Sequence, residues 1–498
     1  KNQELLAKAQ FRLKFEELFF VQLRLISQNL QRKQKIKGMP FEAVGEKFTE
    51  FFENHLPFEL TNAQKRVIKE IRNDLGSNAQ MNRLLQGDVG SGKTIVAFMS
   101  MLIALDNGFQ ACLMAPTEIL SVQHYNGLFE MCNKLNTSIE LLTGSTKTSK
   151  RKEIHEKLEN GELDILIGTH ALLEDKVKFK NLGLAIVDEQ HRFGVEQRSK
   201  LWHKGGPSGE VGGAIPPHIL VMTATPIPRT LAMSIYGDLD ISVIDELPPG
   251  RKDIKTVHRF DANRLKVFRF IKDEISKGRQ VYIVYPLIQE SETMDYKDLM
   301  DGYESIVREF PMPKYQVSIV HGQMKPADKE YEMNRFIKGE TQIMVATTVI
   351  EVGVNVPNAS VMIIESAERF GLSQLHQLRG RVGRGAKQSY CILMTGHKLS
   401  ADAKTRLETM VRTSDGFEIA EVDLKLRGPG DLMGTQQSGV LNLRIADIVK
   451  DSEILKIARS YAAQTLKADP NLTSKENIPI KNTYAQLVKY RNIWNYIS

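Results

Sequence analysis

Residues 87–94 read GDVGSGKT, set between the short apolar run NRLLQ at 82–86 and the longer run IVAFMSMLIAL at 95–105. Strand, glycine-rich turn and helix in that order form the phosphate loop GxxxxGK[ST]. Gly87, Gly90 and Gly92 let backbone amides turn inward around phosphate oxygens, with Asp88, Val89 and Ser91 completing the loop. Lys93 brings a cation to the β- and γ-phosphates, Thr94 brings a hydroxyl to Mg²⁺, and the helix N-terminus adds its positive dipole end. A nucleotide site is the expectation here.

Outward from the loop the same alternation repeats. NRLLQ, QACLMAP, LDILIGT, LAIVDE and ILVMTAT read as strands, with helical stretches at 94–105 and 150–159 between them. The segment DELPPGRKDIKT at 245–256 reads as a linker. A second series follows: QVYIVYP, QVSIVHG, QIMVATT, SVMIIES and YCILMT. Short apolar runs alternating with helices specify parallel sheets covered by helices, so the fold class is α/β with two lobes in tandem. Upstream, Leu6, Ala9, Leu13, Phe20, Leu23 and Leu30 recur at helical spacing and predict one amphipathic helix over 5–30. Glu16 and Ser27 interrupt its seam, which favours packing on its own protein over a coiled coil. GGPSGEVGGAIPPH at 205–218 is too rich in Gly and Pro for regular structure and reads as a mobile surface loop. The tail is helical to Ala468 and then carries Tyr484, Tyr490, Trp494 and Tyr496, an aromatic cluster suited to anchoring it.

Two more constellations carry chemistry. LGLAIVDEQH places Asp188 and Glu189 just after an apolar run, where Asp188 can hold a Mg²⁺ shell and Glu189 can orient and deprotonate water. The bland alternative is a strand-end pair capping the next helix. QLRGRVGRG at 377–385 puts Arg381 and Arg384 three apart, on one face if the segment is helical, where they could act as arginine fingers or equally form a basic surface patch.

Composition bounds the rest. With 498 residues, 42% hydrophobic and 26% charged, the chain can bury several cores, which excludes wholesale disorder. Lys+Arg 67 against Asp+Glu 60 gives +7, compatible with a polyanionic partner without requiring one. No apolar run reaches the roughly 18 residues of a membrane span, so no membrane association is expected. Cys112, Cys132 and Cys391 are too few and scattered for a disulfide framework, which points to a reducing, cytoplasmic setting. The chain opens at Lys1 without a signal-like segment, and the absence of an initiator Met suggests sequence upstream.

In order along the chain stand TNAQ at 61–64, GDVGSGKT, APTEIL at 115–120, DEQH at 188–191, TATP at 223–226, TTVIEVGVNVPNA at 347–359 and QLRGRVGR at 377–384. This series resembles the ordered motifs of superfamily-two helicases. DEQHRFGVEQR, TATPIPRTLAMSIYGDLDISVIDELPPGR and RGPGDLMGTQQSG narrow the resemblance to the RecG family of bacterial branched-DNA translocases, over about 5–439. The resemblance implies two tandem RecA-like lobes with an N-terminal helix and a C-terminal helical hairpin and coupling segment, divided as 1–56, 57–245, 246–400, 401–445 and 446–498. It implies a DNA-stimulated, ATP-dependent helicase acting on stalled forks and Holliday junctions in recombination and repair, with ATP as substrate and Mg²⁺ as its metal. Double-stranded and branched DNA are the implied partners, with single-stranded DNA-binding protein a candidate; the implied state is a cytoplasmic, nucleoid-associated monomer.

Carried onto this sequence, the resemblance makes Phe58 and Gln64 the adenine-reading element. Thr117, Thr347 and Thr348 would contact DNA phosphates. His191, Thr223, Thr225, Glu351, Gly353 and Gln377 fall in motifs that couple nucleotide state to DNA and to the opposite lobe, and Arg406, Arg427 and Gln437 match the polar network of the translocation segment. Each hydroxyl could equally satisfy a strand end, Gln64 a helix start, and the late polar residues an interlobe salt bridge. Two departures stand out. The family's large N-terminal region, with its oligonucleotide-binding wedge, has no counterpart before Leu5, so a motor half is expected; and 205–218 is longer than the usual connection before TATP. The rivals are a transcription-repair coupling translocase, an RNA helicase, and a non-catalytic scaffold; against the last stand Lys93, Thr94, Asp188, Glu189, Arg381 and Arg384.

Overall fold

A computed structural model describes residues 2–189, 200–201, 204, 208–209, 213–225, 227–228, 232, 239–248, 252–286, 292–347, 356–383, 388–427 and 443–494. They fall into two compact units. The larger comprises Gly38–Pro226 and Ser242–Asp423, and the smaller comprises Lys1–Lys37, Ile227–Ile241 and Leu424–Ser498.

The larger unit holds two sheets. In the first, β1 (Asn82–Gly87), β2 (Gln110–Met114), β3 (Ile139–Leu142), β4 (Ile165–Gly168) and β5 (Leu182–Asp188) join β8 (His218–Thr223) and β9 (Asp240–Ile244) in the order β3-β4-β2-β5-β8-β1-β9. Every residue of β1, β2, β4, β5 and β8 is buried. That is the pattern of strands covered by helices on both faces, and it explains why the sequence shows continuous apolar runs instead of alternation. The second sheet takes β10 (Lys255–Phe260), β11 (Gln280–Tyr285), β12 (Val317–Val320), β13 (Ile343–Thr347), β14 (Ala359–Ile364) and β15 (Tyr390–Thr395) in the order β10-β15-β14-β11-β13-β12, with every pairing parallel.

All ten strands expected from sequence are present, and β3, β9 and β10 are additional. These three lie at sheet edges and are only partly buried. An edge strand needs less apolar surface, so its sequence does not announce it. β10 also shortens the expected linker by starting at Lys255. The Gly/Pro-rich stretch is corrected too: β6 (Ser208–Gly209) and β7 (Gly213–Ala214) pair antiparallel, a backbone pairing that asks nothing of apolar side chains.

In the smaller unit the helix Gln3–Lys35 packs on the helix Ser452–Ala468 through Leu18, Leu23, Leu455, Ala458 and Ala462. This is packing within one chain, as expected, but the buried stripe is shorter than the sequence pattern. Leu6, Leu13 and Leu30 are exposed, as is Ala9. A 17-residue partner reaches only about 26 Å along a 33-residue helix of about 50 Å, so the remaining turns go uncovered. Glu17 receives the amides of Arg444, Ile445 and Ala446, and Lys14 pairs with Asp451 at 2.8 Å. Tyr484 packs half-buried against the same core, on the tail helix Ile478–Trp494. The side chains of Tyr490 and Trp494, and Tyr496 entirely, lie outside the described residues. Among the described residues no helix is long and apolar enough to cross a membrane.

Candidate active site between the two sheets of the larger unit

The phosphate loop leaves the carboxyl end of β1 and enters the helix Lys93–Asp106. That helix buries every residue from Ile95 to Leu105, which anchors the loop in the first core. Gly90 and Gly92 have φ of 77° and 87°, the left-handed region where a side chain is strained. Lys93 Nζ donates to the carbonyls of Gly87 at 2.7 Å and Asp88 at 2.9 Å. Gln64 is wholly buried: its Nε2 donates to the Ser91 carbonyl at 2.8 Å and its Oε1 accepts from the Thr61 amide at 2.9 Å, so it caps a helix start and braces the loop together. Phe58 packs half-buried against the same core, close to Gly92.

β5 delivers Asp188 and Glu189. Burial alone would push the Asp188 carboxyl up; the hydrogen bond and charge of His124, at 2.8 Å, and the ammonium of Lys93 outweigh it and hold it below the ordinary carboxylate range. Glu189 takes the opposite direction, raised by burial and by the charge of Asp188, with Lys93 and Arg381 opposing. Its backbone is left-handed at φ 54°, and its Oε1 accepts from the Ala224 amide at 3.3 Å, which ties it to the TATP segment. Among the described residues no group of three or more His, Cys, Asp or Glu could hold a metal. Mg²⁺ needs no such cage, because it keeps waters and takes one or two protein oxygens beside substrate phosphates. An ionised Asp188 and the Thr94 hydroxyl suit it.

The second sheet contributes the helix Leu372–Arg379. His376 Nε2 lies 2.7 Å from Asp88 Oδ1, and Gln377 Nε2 donates to Thr225 Oγ1 at 2.8 Å. A Cβ at Gly380 would stand 3.0 Å from Val89 Cβ, so the two sheets' loops meet closely. Arg381 acts on Glu189 through its charge. The helix ends at Arg379, with Gly380 as its cap and Gly383 at φ 82°, so Arg381 stands beyond the helical turns; Arg384 lies outside the described residues. Two glycines in quick succession end the helix there.

Other expected residues are spread more widely. Thr117 Oγ1 caps the helix Glu118–Lys134 by accepting from the Leu120 amide, and Thr223 Oγ1 accepts from the Thr225 amide. Thr347 ends β13 with its hydroxyl buried and without a hydrogen-bond partner among the described residues. Arg406 donates to the Glu368 carbonyl at 2.8 Å. Arg427 is the last residue of the helix Gly416–Arg427, its side chain outside the described residues; His191, Thr348, Glu351, Gly353, Arg384 and Gln437 lie outside them altogether.

Sequence reasoning passed over His124, His376 and Arg379, all buried. For His124 a signal existed: it stands four residues from both Leu120 and Leu128 on a core-facing stripe, where a polar side chain needs a partner.

Two parallel sheets joined across a phosphate loop, with an acidic pair on one side and a glutamine and arginine on the other, define the class of two-lobed helicase motors. Residues 61–234 match the DEAD/DEAH box helicase family, 265–386 the helicase conserved C-terminal domain, and 413–498 the C-terminal part of domain 3 of the ATP-dependent DNA helicase RecG. The chain is 50% identical over 481 residues to the ATP-dependent DNA helicase RecG of Synechocystis, covering 97% of this chain and 56% of that one. With the RecG of Bacillus subtilis it shares 47% identity, covering 94% of this chain and 67% of the relative. A solved structure of RecG bound to a three-way DNA junction is 44% identical, with a TM-score of 0.72, covering 92% of this chain and 58% of that one. The chain belongs to the RecG family, and spans little more than half the length of the Synechocystis relative.

Proposed function

We propose that the chain is the motor of an ATP-driven translocase on double-stranded DNA that remodels branched DNA, forks and Holliday junctions among them, in recombination and repair. The observation that carries this is the meeting of Lys93, Asp188 and Glu189 from the first sheet with Gln377 and Arg381 from the second, across one phosphate loop. Family membership and the junction bound by the related structure support the same substrate.

In this reading Lys93 leaves its two carbonyl partners to hold the β- and γ-phosphates of ATP. Mg²⁺, held through Thr94 and the shell of Asp188, supplies charge neutralisation on those phosphates. Glu189, with its raised pKa, is suited to accept a proton from the attacking water. Arg381, with Arg384, stabilises charge developing on the γ-phosphate, and Gln64 and Phe58 receive the adenine. Lobes of 57–245 and 246–400 close on ATP and reopen after hydrolysis, and 401–445 turns that cycle into a step. Thr117, Thr347 and Thr348 hold DNA phosphates, so binding weakens steeply with salt. His191, Thr223, Thr225, Glu351 and Gly353 relay the state of the nucleotide, and Arg406, Arg427 and Gln437 the step. A cytoplasmic monomer working beside single-stranded DNA-binding protein completes the reading.

ATP turnover measured side by side with a three-way junction, linear duplex DNA, single strand and duplex RNA tests it. Junction and duplex DNA should stimulate most, and Lys93→Ala should lower turnover roughly a hundredfold. Normal turnover in Lys93→Ala, or stimulation by RNA alone, sinks the proposal. Arg427→Ala should keep turnover and lose fork unwinding.

A further inference from the structure

Two residues outside the assigned chemistry, His376 and Arg379, form with the phosphate loop an unbroken hydrogen-bonded chain inside the larger unit. Asp88 of the phosphate loop meets His376 Nε2 at 2.7 Å, His376 Nδ1 lies 3.0 Å from Arg379 Nη2, and Arg379 Nη1 donates to the carbonyls of Met410 and Thr413, each at 2.9 Å. Met410 lies in the last turn of the helix Ala401–Arg412, and Thr413 opens the turn into Gly416–Arg427. His376 and Arg379 are 4% and 3% exposed, so solvent offers them no substitute partners.

The polarity of the chain follows from chemistry. A guanidinium carries only donors, so His376 Nδ1 accepts, and the ring proton sits on Nε2, where Asp88 accepts it. The imidazole thereby joins a buried cation to the carboxylate of the phosphate loop. At the loop end, Lys93 bonds the carbonyl of Asp88 itself, and bound phosphates compete for that same ammonium. Occupation of the loop therefore changes the hydrogen bonding of the residue that His376 grips. At the other end the helix Leu372–Arg379 has a second tie, Ser373 Oγ donating to Asp423 Oδ2 at 2.8 Å. One short helix is thus fixed to the helical pair near both its ends and to the phosphate loop between them, and a rigid element with such ties carries a shift from one to the other.

Resting on the motor reading above, we infer that His376 is a positioning residue that passes the state of the phosphate loop, through Arg379, to the turn between Ala401–Arg412 and Gly416–Arg427. Neither the acidic pair nor the arginine at 381 takes part in this route.

Amide hydrogen exchange over residues 408–420, with and without saturating ADP, tests it on the purified chain and on His376→Leu, His376→Gln and Asp88→Ala. ADP affinity by calorimetry and the thermal midpoint are read on the same samples. Leucine removes donor and acceptor; glutamine can restore both, with Nε2 toward Asp88 and Oε1 toward Arg379. In the parent, ADP should change exchange at 410–416 by about fivefold or more. His376→Leu should bind ADP within about twofold of the parent and lose that response, and His376→Gln should regain it. A response that persists in His376→Leu overturns the relay. So does a parent that binds ADP and leaves 410–416 unchanged, although the motor reading then stands; a parent that binds no ADP removes both. If His376→Leu does not fold, Asp88→Ala decides, since a response retained there overturns the relay and one lost there supports it.

Discussion

His124 Nε2 and Asp188 Oδ2 lie 2.8 Å apart with side chains only 7% and 11% exposed, so one buried hydrogen bond ties the helix Glu118–Lys134 to the end of β5. His124→Ala strips a buried carboxylate of its donor. The expected cost is about 1–3 kcal/mol in urea denaturation, together with a higher Mg²⁺ requirement for ATP turnover. Because the folded pKa of Asp188 is depressed, its contribution is present above the ordinary carboxylate range and is lost as pH falls below it. The variant should therefore lose more stability at pH 7 than at pH 3. Equal loss at both would remove the hydrogen bond as the cause.

Glu189 gives the opposite sign. Its pKa is raised by burial and by the charge of Asp188, so its ionised form burdens the fold at neutral pH; the burden lifts as pH falls through that raised value and is gone by the ordinary carboxylate range. Glu189→Gln should therefore melt higher than the parent at pH 7 and lose that advantage toward pH 4, while ATP turnover falls roughly a hundredfold. A melting point lowered at pH 7 would contradict this account.

Gly92 combines two constraints. At φ 87° a side chain costs about 1–2 kcal/mol, and its Cβ would stand 2.2 Å from Gln64 Nε2. Gly92→Ala should lower both the melting point and nucleotide affinity. Adding Gln64→Ala removes the collision but leaves the backbone strain, so the double variant should be less destabilised than the sum of the two singles. Simple additivity in denaturant titrations would show that the two side chains do not compete for one space.

Leu23 is buried between the helices Gln3–Lys35 and Ser452–Ala468. Leu23→Ala should cost about 2–5 kcal/mol, whereas Leu6→Ala, on the uncovered turns of the same helix, should cost about 0.5 kcal/mol or less. Chemical denaturation of the two variants separates them.

The two lobes were legible because a strand covered on both faces writes itself as a continuous apolar run; Leu182–Asp188 is buried throughout. The edge strands Ile139–Leu142 and Lys255–Phe260 were not, since half of each faces outward and shares its composition with loops. The same logic governs the site. Lys93, Thr94 and the strand-end pair Asp188 and Glu189 are marked by neighbours a few residues away, so a motif suffices to point to them.

What the sequence determined by itself was therefore local: the phosphate loop, the acidic pair, the order of strands and helices, and through them the family. Tertiary structure alone decided who meets whom. Nothing near His376 in the chain signals Asp88, 288 residues away, and nothing near His124 signals Asp188. Only the folded sheets bring these groups together, and burial then compels each polar atom to use the partner it meets. The reach of the N-terminal helix follows the same rule: its apolar pattern runs from Leu6 to Leu30, but the buried stretch is set by where Ser452–Ala468 lies against it.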